Sequence, residues 1–272
     1  MSLVEGAQEE RVVLASPKEI RRQIVKTIAR AKAWHLGPNL SMVEILHTLY
    51  ERVMRVDPAR PDWPGRDRLI SKGSAAAVLY AVLASRGFFP AETLKRYNEP
   101  GSRIVPLVEM FTLPGVEAST ASLGRGLSIG IGMALAGKRD GMPYRVYVVV
   151  GDGECQEGQI WEAAMLAPSL DLDNLTLIVD CNKLQGSNRV EDLIRMANLS
   201  ERFTDFGWHA VDVDGHDCDA LEAALKKPAD GPKCLIAHTV KGKGVSIMEN
   251  DVAWHYRSMT QAEVIQALRE LR

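Results

Sequence analysis

Five short apolar runs divide the chain, and segments with helical spacing lie between them. A run of this kind, bounded by polar or turn-forming residues, predicts a buried strand. Strands that alternate with helices predict a parallel sheet, because a helix must carry the chain back between parallel neighbours. The pattern therefore predicts an α/β fold with a doubly wound, mainly parallel sheet and helices on both faces. The predicted strands are residues 68–71, 146–150, 175–180, 208–213 and 234–238.

Capping signals mark the first and last helices. Ser16 can cap a helix that begins at Pro17, and Glu19 stands at the capping-box position. Thr260 and Glu263 repeat the capping box before the last helix. The apolar spacing predicts, besides these, helices at residues 41–53, 75–85, 124–137, 160–167 and 220–225, an end of the last helix at 271, and an irregular loop at 100–115.

The distribution of polar and apolar residues predicts one folded domain. Residues 1–16 are polar and without pattern, which is typical of an N-terminal arm. No internal repeat and no low-complexity linker interrupts residues 17–272, so we expect them to form a single α/β domain. A chain of 272 residues is long enough to bury a full hydrophobic core.

The charge and the cysteine content indicate which kinds of partner and which cellular compartment to expect. The net charge is −2 and no block of like charge stands out, which argues against nucleic acid or a membrane surface as the main partner. The apolar stretches are too short to span a bilayer. The four cysteines show no CxxC spacing, and the N-terminal residues show no secretory pattern. We therefore expect a cytoplasmic protein with free thiols.

Polar residues follow two neighbouring predicted strands. Gly151, Asp152 and Gly153 come directly after one strand, and Asn182 follows the next strand along the chain. The carboxyl ends of parallel strands meet at one edge of the sheet, and open α/β folds bind their ligands there. We therefore expect these four residues to lie close together.

These residue types suit a magnesium ion and a diphosphate. Mg²⁺ takes about six oxygen ligands and is usually held by one or two protein groups together with phosphates. Asp152 offers a carboxylate, Asn182 an amide oxygen, and Leu184 a backbone carbonyl. Gly151 and Gly153 allow the backbone to approach a diphosphate because they have no Cβ. We expect the helix after Gly153 to direct its first amide groups at the anion.

The GDG and the later Asn together resemble the fingerprint of thiamine-diphosphate enzymes, and the whole chain resembles the N-terminal half of a transketolase. The likeness is to split transketolases in particular, whose two halves are separate polypeptides. It implies the thiamine-diphosphate-binding fold, with thiamine diphosphate and Mg²⁺ (or Ca²⁺ or Mn²⁺) as cofactors. The matching stretches, in family order, are residues 32–50, 67–87, 113–138, 148–185 and 238–255.

The resemblance implies a role for each candidate site residue. His35 and His255 match histidines that contact the substrate, and Glu157 matches a buried glutamate near the subunit interface. For Glu157, a solvated carboxylate at the start of a helix is an open alternative. The implied Mg²⁺ ligands are Asp152, Asn182 and the carbonyl of Leu184. The implied contacts to thiamine diphosphate are Gly151, Asp152, Gly153, Asn182, Ser74, Ala121 and Leu123.

Four positions depart from the family pattern. Ser74 replaces a histidine that contacts the diphosphate, Arg125 replaces a glutamine, and Tyr256 stands where glycine is usual. Leu107 is the best match to a histidine that binds the hydroxyl of the donor's two-carbon fragment. An apolar group there leaves that hydroxyl unpaired, at a cost of about 1–3 kcal/mol. We therefore hypothesise that the cofactor site is retained while the donor preference has changed.

The resemblance also implies that the chain acts with a partner. In the family, the glutamate that activates the cofactor lies on a pyrimidine-binding domain and is contributed across a subunit interface. The sequence ends at Arg272 before such a domain, so we expect a separate C-terminal subunit with a pyrimidine-binding domain. We expect an α2β2 assembly, and no activity from this chain alone.

The leading hypothesis is a transketolase-like subunit that transfers a two-carbon ketol unit from a ketose-type donor to an aldehyde acceptor, in specialised metabolism. One alternative is acyl transfer or condensation from pyruvate, as in deoxyxylulose-phosphate synthase or the E1 α subunit of 2-oxo-acid dehydrogenases. The substrates are accordingly sugars or keto acids. A further alternative, motivated by Ser74 and Leu107, is a non-catalytic paralogue.

Overall fold

Five parallel strands form one sheet in the order β1-β2-β3-β5-β4. The computed structural model describes residues 15–196 and 198–272. Most of the predicted N-terminal arm lies outside the described residues, and the division into an arm and one domain stays a prediction. The parallel sheet confirms the predicted fold class. The strands are β1 Arg68–Ile70, β2 Val146–Gly151, β3 Leu175–Cys181, β4 His209–Asp214 and β5 Lys233–His238.

Helices connect the strands, and both predicted capping boxes are present, at Ser16 with Glu19 and at Thr260 with Glu263. The loop at 100–115 contains neither helix nor strand, as predicted. The short helices α7 and α8 were not predicted. The helices are α1 Pro17–Arg30, α2 Leu36–Leu40, α3 Val43–Thr48, α4 Ala76–Arg86, α5 Arg125–Arg139, α6 Gly158–Ser169, α7 Val190–Leu193, α8 Leu199–Asp205, α9 Cys218–Lys226 and α10 Gln261–Glu270.

The sheet is covered on both faces. Side chains of successive strand residues point to opposite sides, so Val148 joins a cluster with α5, α6 and α8. Its neighbours Tyr147 and Val149 join the other cluster, with α1 to α4, α9 and α10. This arrangement confirms the prediction of helices on both faces. Within residues 15–196 and 198–272, none of the helices has the length and apolar character that crossing a bilayer requires.

The predicted helix over 41–53 is present over residues 43–53 and begins two residues later than predicted. Helix α2 begins directly after His35 and ends at Leu40, α3 follows, and residues 49–53 form a π-helical turn. The interruption lies at Ser41 and Met42, where Met42 has φ −93° and ψ 0°. The hydroxyl of Ser41 lies 2.7 Å from the carboxylate of Asp180, which fixes this turn against the sheet.

A buried ion pair joins the first and third helices. The guanidinium of Arg21 donates to both carboxylate oxygens of Glu44, at 2.6 and 2.7 Å, and its Nε donates to the carbonyl of Lys243 at 2.9 Å. Nδ1 of His216 donates to Glu44 at 2.9 Å, because Nε2 of the same ring accepts the N–H of Val240. This network, here called the Glu44 network, holds the segment 240–243 against the helices.

Glu44 remains charged in this setting. Burial alone raises the pKa of Glu44, but the hydrogen bonds from His216 and Arg21 and the charge of Arg21 lower that pKa to about 2. A depressed carboxyl pKa contributes stability above the unfolded-state value, and this contribution is lost as the pH falls towards 2.

Replacing Arg21 by Met should lower the free energy of unfolding by about 3–5 kcal/mol, because Glu44 is then buried without its charged partner. Urea denaturation at neutral pH measures this change. The control is Lys138→Met, which removes an exposed pair with Asp173 and should cost no more than about 1 kcal/mol. Equal losses in the two variants would contradict the role of the Glu44 network.

Candidate active site

A cleft of about 490 Å³ opens at the carboxyl edge of the sheet. Strand β2 ends beside β3, with Gly151 opposite Asp180, and β3 ends beside β5, with Cys181 opposite His238. The loops that leave these strands therefore meet above one edge. The sequence-predicted residues that line the cleft are His35, Ser74, Ala121, Leu123, Gly151, Asp152, Gly153, Asn182, Leu184 and His255.

Asp152 and Asn182 stand at the floor of the cleft, and both are buried. The carboxylate of Asp152 accepts the N–H groups of Gly153 at 2.9 Å and Lys183 at 2.5 Å. The amide oxygen of Asn182 accepts the N–H of Leu184 at 3.1 Å. Burial, together with the nearby charge of Asp180, raises the pKa of Asp152 to about 6. A divalent cation would relieve this repulsion, so the site fits a metal electrostatically.

The donor set also indicates which metal fits. Among the described residues, no three His, Cys, Asp or Glu side chains converge on a metal position. A metal bound here therefore takes one carboxylate, an amide or carbonyl oxygen and oxygens from the ligand. That combination suits Mg²⁺ bound with a diphosphate.

Asp180 organises the floor of the cleft. Its fully buried carboxylate accepts hydrogen bonds from Lys72, Thr239, Ser41 and Asn182; the last two measure 2.7 and 3.0 Å. Burial alone raises the pKa of Asp180, but the ammonium of Lys72 and these hydrogen bonds lower it overall. The amide nitrogen of Asn182 is thereby fixed, and its oxygen, which accepts the N–H of Leu184, keeps a second lone pair for a ligand.

The two predicted histidines lie together. The ring centroids of His35 and His255 are 5.0 Å apart with nearly perpendicular planes, and the backbone N–H of His35 donates to the carbonyl of His255 at 2.9 Å. Burial lowers the pKa of His35 to about 4. Burial and the neighbouring charge of Lys241 lower the pKa of His255 to about 3. Both rings are therefore neutral at neutral pH.

The hydrogen bonds of the two rings assign different tautomers. Nδ1 of His35 lies 3.4 Å from the carbonyl of Pro106 and donates to it, which leaves Nε2 as an acceptor. Nδ1 of His255 lies 3.0 Å from the ammonium of Lys241 and accepts from it, which leaves the proton on Nε2. The pair therefore offers one acceptor and one donor.

The two GDG glycines have different surroundings. A Cβ on Gly151 would project into open space, 4.0 Å from the nearest backbone nitrogen, so the glycine keeps the cleft wide there. A Cβ on Gly153 would lie 2.5 Å from the side chain of Gln185, so packing alone requires glycine at that position. A cofactor diphosphate can therefore approach at Gly151.

The helix predicted after Gly153 is present as α6, and a short turn separates it from the GDG. A 3-10 turn over Glu154–Gln156 comes first, and α6 starts at Gly158. In that turn the N–H groups of Cys155 and Gln156 already donate to the carbonyls of Asp152 and Gly153. The predicted helix over 160–167 is therefore confirmed, while the approach of its first amide groups to an anion stays a prediction.

Glu157 does not line the cleft. It stands exposed at the N-cap position of α6 and makes no side-chain capping bond, while Glu154 three residues earlier is buried. The carboxylate of Glu154 accepts the N–H groups of Gly124 at 2.9 Å and Gly151 at 3.2 Å. It thereby ties the loop that carries Ala121 and Leu123 to the end of β2.

Four polar residues of the site were missed by the sequence reasoning. Lys72 and Lys241 lie in stretches that matched the family, but their burial shows only in the structure. Burial and the charge of Lys72 lower the pKa of Lys241 to about 8. Asp180 carried a signal, since it is a charged residue at the end of an otherwise apolar strand. For Glu154, the only sequence signal of a site residue was its position directly after the GDG.

Comparison with known proteins identifies relatives along almost the whole chain. Residues 14–271 match the family described as transketolase, thiamine diphosphate binding domain. The 6-deoxy-6-sulfo-D-fructose transketolase subunit SqwG of Clostridium sp. (strain MSTE9) is 40% identical over 256 residues, which cover 93% of each chain. An apulose-4-phosphate transketolase subunit of Phocaeicola vulgatus is 39% identical over 270 residues, which cover 97% of this chain and 95% of the relative.

Solved transketolases share the fold. A variant of the transketolase of Pichia stipitis superimposes with a TM-score of 0.88 at 29% identity, over 94% of this chain and 40% of that one. The transketolase of Campylobacter jejuni gives the same TM-score and identity over 94% of this chain and 42% of its own. The chain thus spans less than half the length of these enzymes but nearly all of the two named subunits.

Replacing Asp180 by Asn should lower the free energy of unfolding by about 3–5 kcal/mol, because the ammonium of Lys72 loses its buried counter-charge. The double variant Asp180→Asn/Lys72→Met should recover part of this loss. Urea denaturation of the single and double variants measures both effects. Equal losses would show that the charge pair does not hold the site.

Proposed function

The chain belongs to the transketolase family, and from this membership we propose that it binds thiamine diphosphate and Mg²⁺ in the cleft and transfers a two-carbon ketol unit. The donor is a ketose-type compound and the acceptor an aldehyde. The observation that carries the proposal is the convergence of Asp152, Asn182 and Gly151 on one cleft floor beside the buried ammonium of Lys72.

Each end of the cofactor has matching groups in the cleft. Asp152, Asn182 and the carbonyl of Leu184 are the proposed Mg²⁺ ligands. Gly151 would make room for the diphosphate, and Lys72, paired with Asp180, would lie on the same side of the cleft. When bound, thiamine diphosphate acts as the electron sink for breaking and forming the carbon–carbon bonds.

Further contacts are proposed at both sides of the cofactor. Ser74 and Gly153 lie at the diphosphate side, and Ser74 can offer a hydroxyl hydrogen bond in place of an imidazole. The backbone of Ala121 and the side chain of Leu123 support the pyrimidine ring. Glu157 lies outside the cleft, so its proposed role is at a subunit contact.

His35 and His255 orient the substrates. Nε2 of His35 accepts a hydrogen bond and Nε2 of His255 donates one, so the pair can hold a hydroxyl and a carbonyl oxygen together. Since both rings are neutral, they position these groups without adding charge beside the cofactor. Lys241 supports this arrangement by fixing the tautomer of His255.

A second chain is proposed to complete the site. Leu123 is 51% exposed and Ala121 is also exposed, although both line the cleft on the pyrimidine side. Glu157 is exposed near the same loop, where a Cβ on Gly124 would lie 2.9 Å from its side chain. A C-terminal subunit with a pyrimidine-binding domain would cover this rim, in an α2β2 assembly. The four cysteines are free, which supports the proposed cytoplasmic location.

One observation favours a second candidate function, acyl transfer from pyruvate. Leu107 lines the cleft beside Ser74 and His35, and its carbonyl accepts the hydroxyl of Tyr80 at 3.2 Å. The apolar side chain at this position suits a methyl group better than a hydroxyl, because it leaves a hydroxyl without a partner.

Replacing Asp152 by Asn should abolish the stabilisation of the chain by the cofactor, because the proposed carboxylate ligand of the metal is removed. At pH 8 the wild-type carboxylate is ionised, since its pKa is raised only to about 6. Thermal unfolding at pH 8, with and without thiamine diphosphate and Mg²⁺, measures the effect. Asp173→Asn, at an exposed carboxylate, is the control and should respond to the cofactor as the wild type does. Equal cofactor stabilisation of Asp152→Asn would refute the metal site.

The donor is tested with the complex purified through a tag on this chain. Hydroxypyruvate and pyruvate are compared as donors, and the chain without its partner should form no product. Leu107→His should raise the preference for hydroxypyruvate over pyruvate roughly tenfold or more. The reason is that the imidazole pairs a donor hydroxyl that costs about 1–3 kcal/mol when it is left unpaired. The apolar control Leu107→Met should leave the preference unchanged. An unchanged preference in Leu107→His would show that this residue does not select the donor.

A further inference from the structure

Two exposed aromatic side chains flank His35 at the opening of the cleft. Trp34 is 37% exposed, and its ring lies edge-on to His35 at a centroid distance of 6.0 Å. Tyr256 is 68% exposed, with its ring 6.0 Å from His35 and 4.7 Å from His255. Both line the same cleft as the buried Asp152. We call Trp34 and Tyr256 the aromatic pair.

The structure holds Tyr256 in place. Its ring lies over Gly186, where an added Cβ would come within 2.8 Å of the ring carbon Cε2 and of the hydroxyl oxygen. The preceding Trp254 is buried, and its indole N–H donates to the carbonyl of Ile247 at 2.7 Å. The exposed face of Tyr256 is therefore presented from an anchored segment.

The cleft beside the aromatic pair has both apolar and neutral polar side chains, the polar ones being Gln185 and Ser187. Pro38 and Leu107 line it beside the aromatic pair. Among the described residues that line the cleft, the single Lys or Arg is Lys72, and that ammonium is paired with buried Asp180. A further cation for a phosphate at the outer end of a substrate would therefore have to come from the proposed partner chain.

We propose that the aromatic pair binds the tail of the aldehyde substrate, and that this tail is apolar or aromatic. The proposal rests on the proposed function, since it takes the cleft to bind an aldehyde acceptor. Trp34 and Tyr256 are then specificity-determining residues. Aromatic rings attract a second ring by stacking or edge-to-face contact, an effect of roughly two- to tenfold per ring in affinity.

The first test compares two acceptors with the purified two-subunit complex. Benzaldehyde is the aromatic probe and D-glyceraldehyde 3-phosphate the phosphorylated probe, each with the better donor of hydroxypyruvate and pyruvate. We expect kcat/KM to favour benzaldehyde. The double variant Trp34→Ala/Tyr256→Ala should lower this preference about tenfold or more, and Tyr256→Phe should retain it.

A matched control is available at Phe111. This side chain is 76% exposed but lines a different cavity, so Phe111→Ala should leave the preference unchanged. Circular dichroism and co-purification with the partner verify that each variant is folded. A wild-type preference for the phosphorylated aldehyde, or an unchanged preference in the double variant, would overturn the proposal.

A binding measurement separates this proposal from the proposed function. Benzyl alcohol cannot act as an acceptor, and saturation-transfer NMR reports its binding to the complex without turnover. Absence of product from every donor and acceptor would refute the proposed function alone. In that case, benzyl alcohol binding that is lost in the double variant supports the aromatic site, and no binding to the wild type overturns it.

Discussion

The active-site floor depends on one fully buried carboxylate, that of Asp180. A charge removed from water must be compensated by its neighbours, and here Lys72, Ser41, Thr239 and Asn182 supply the compensation. These four residues come from separate segments of the chain. The carboxylate thus fixes the relative positions of the turn after α2, the loop after β1 and the ends of β3 and β5. Few other arrangements of these segments could satisfy it.

The same floor carries a second, uncompensated carboxylate. Asp152 accepts only backbone N–H groups, and its pKa is raised, whereas that of Asp180 is lowered. The two neighbouring carboxylates therefore differ in role. The charge of Asp180 is compensated by protein groups, whereas that of Asp152 remains available for a ligand. Farther from the cleft, the Glu44 network holds the segment 240–243 and with it Lys241. Lys241 in turn fixes the tautomer of His255.

Much of the fold was predictable because its central strands β2, β3 and β5 are mostly apolar and buried. Apolar runs that alternate with helical segments predict a parallel sheet, because a helix must carry the chain back between parallel neighbours. The turn at Ser41 was not predictable, since it depends on a hydrogen bond to Asp180, which is 139 positions later in the sequence. The site was predictable where a residue type has a chemical reason to stand after a strand, as for Asp152 and Asn182. The burial of Lys72 and Lys241 depends on tertiary packing, so no local pattern could show it.

The backbone of His35 has a further consequence. Its φ of 70° lies in the left-handed region, which costs a residue with a side chain about 1 kcal/mol or more. The bond from its N–H to the carbonyl of His255 helps to hold this conformation. The two histidines are therefore mechanically one unit. The effects of substitutions at the two positions are therefore expected to be non-additive. A sequence change in one of the two segments should require a compensating change in the other.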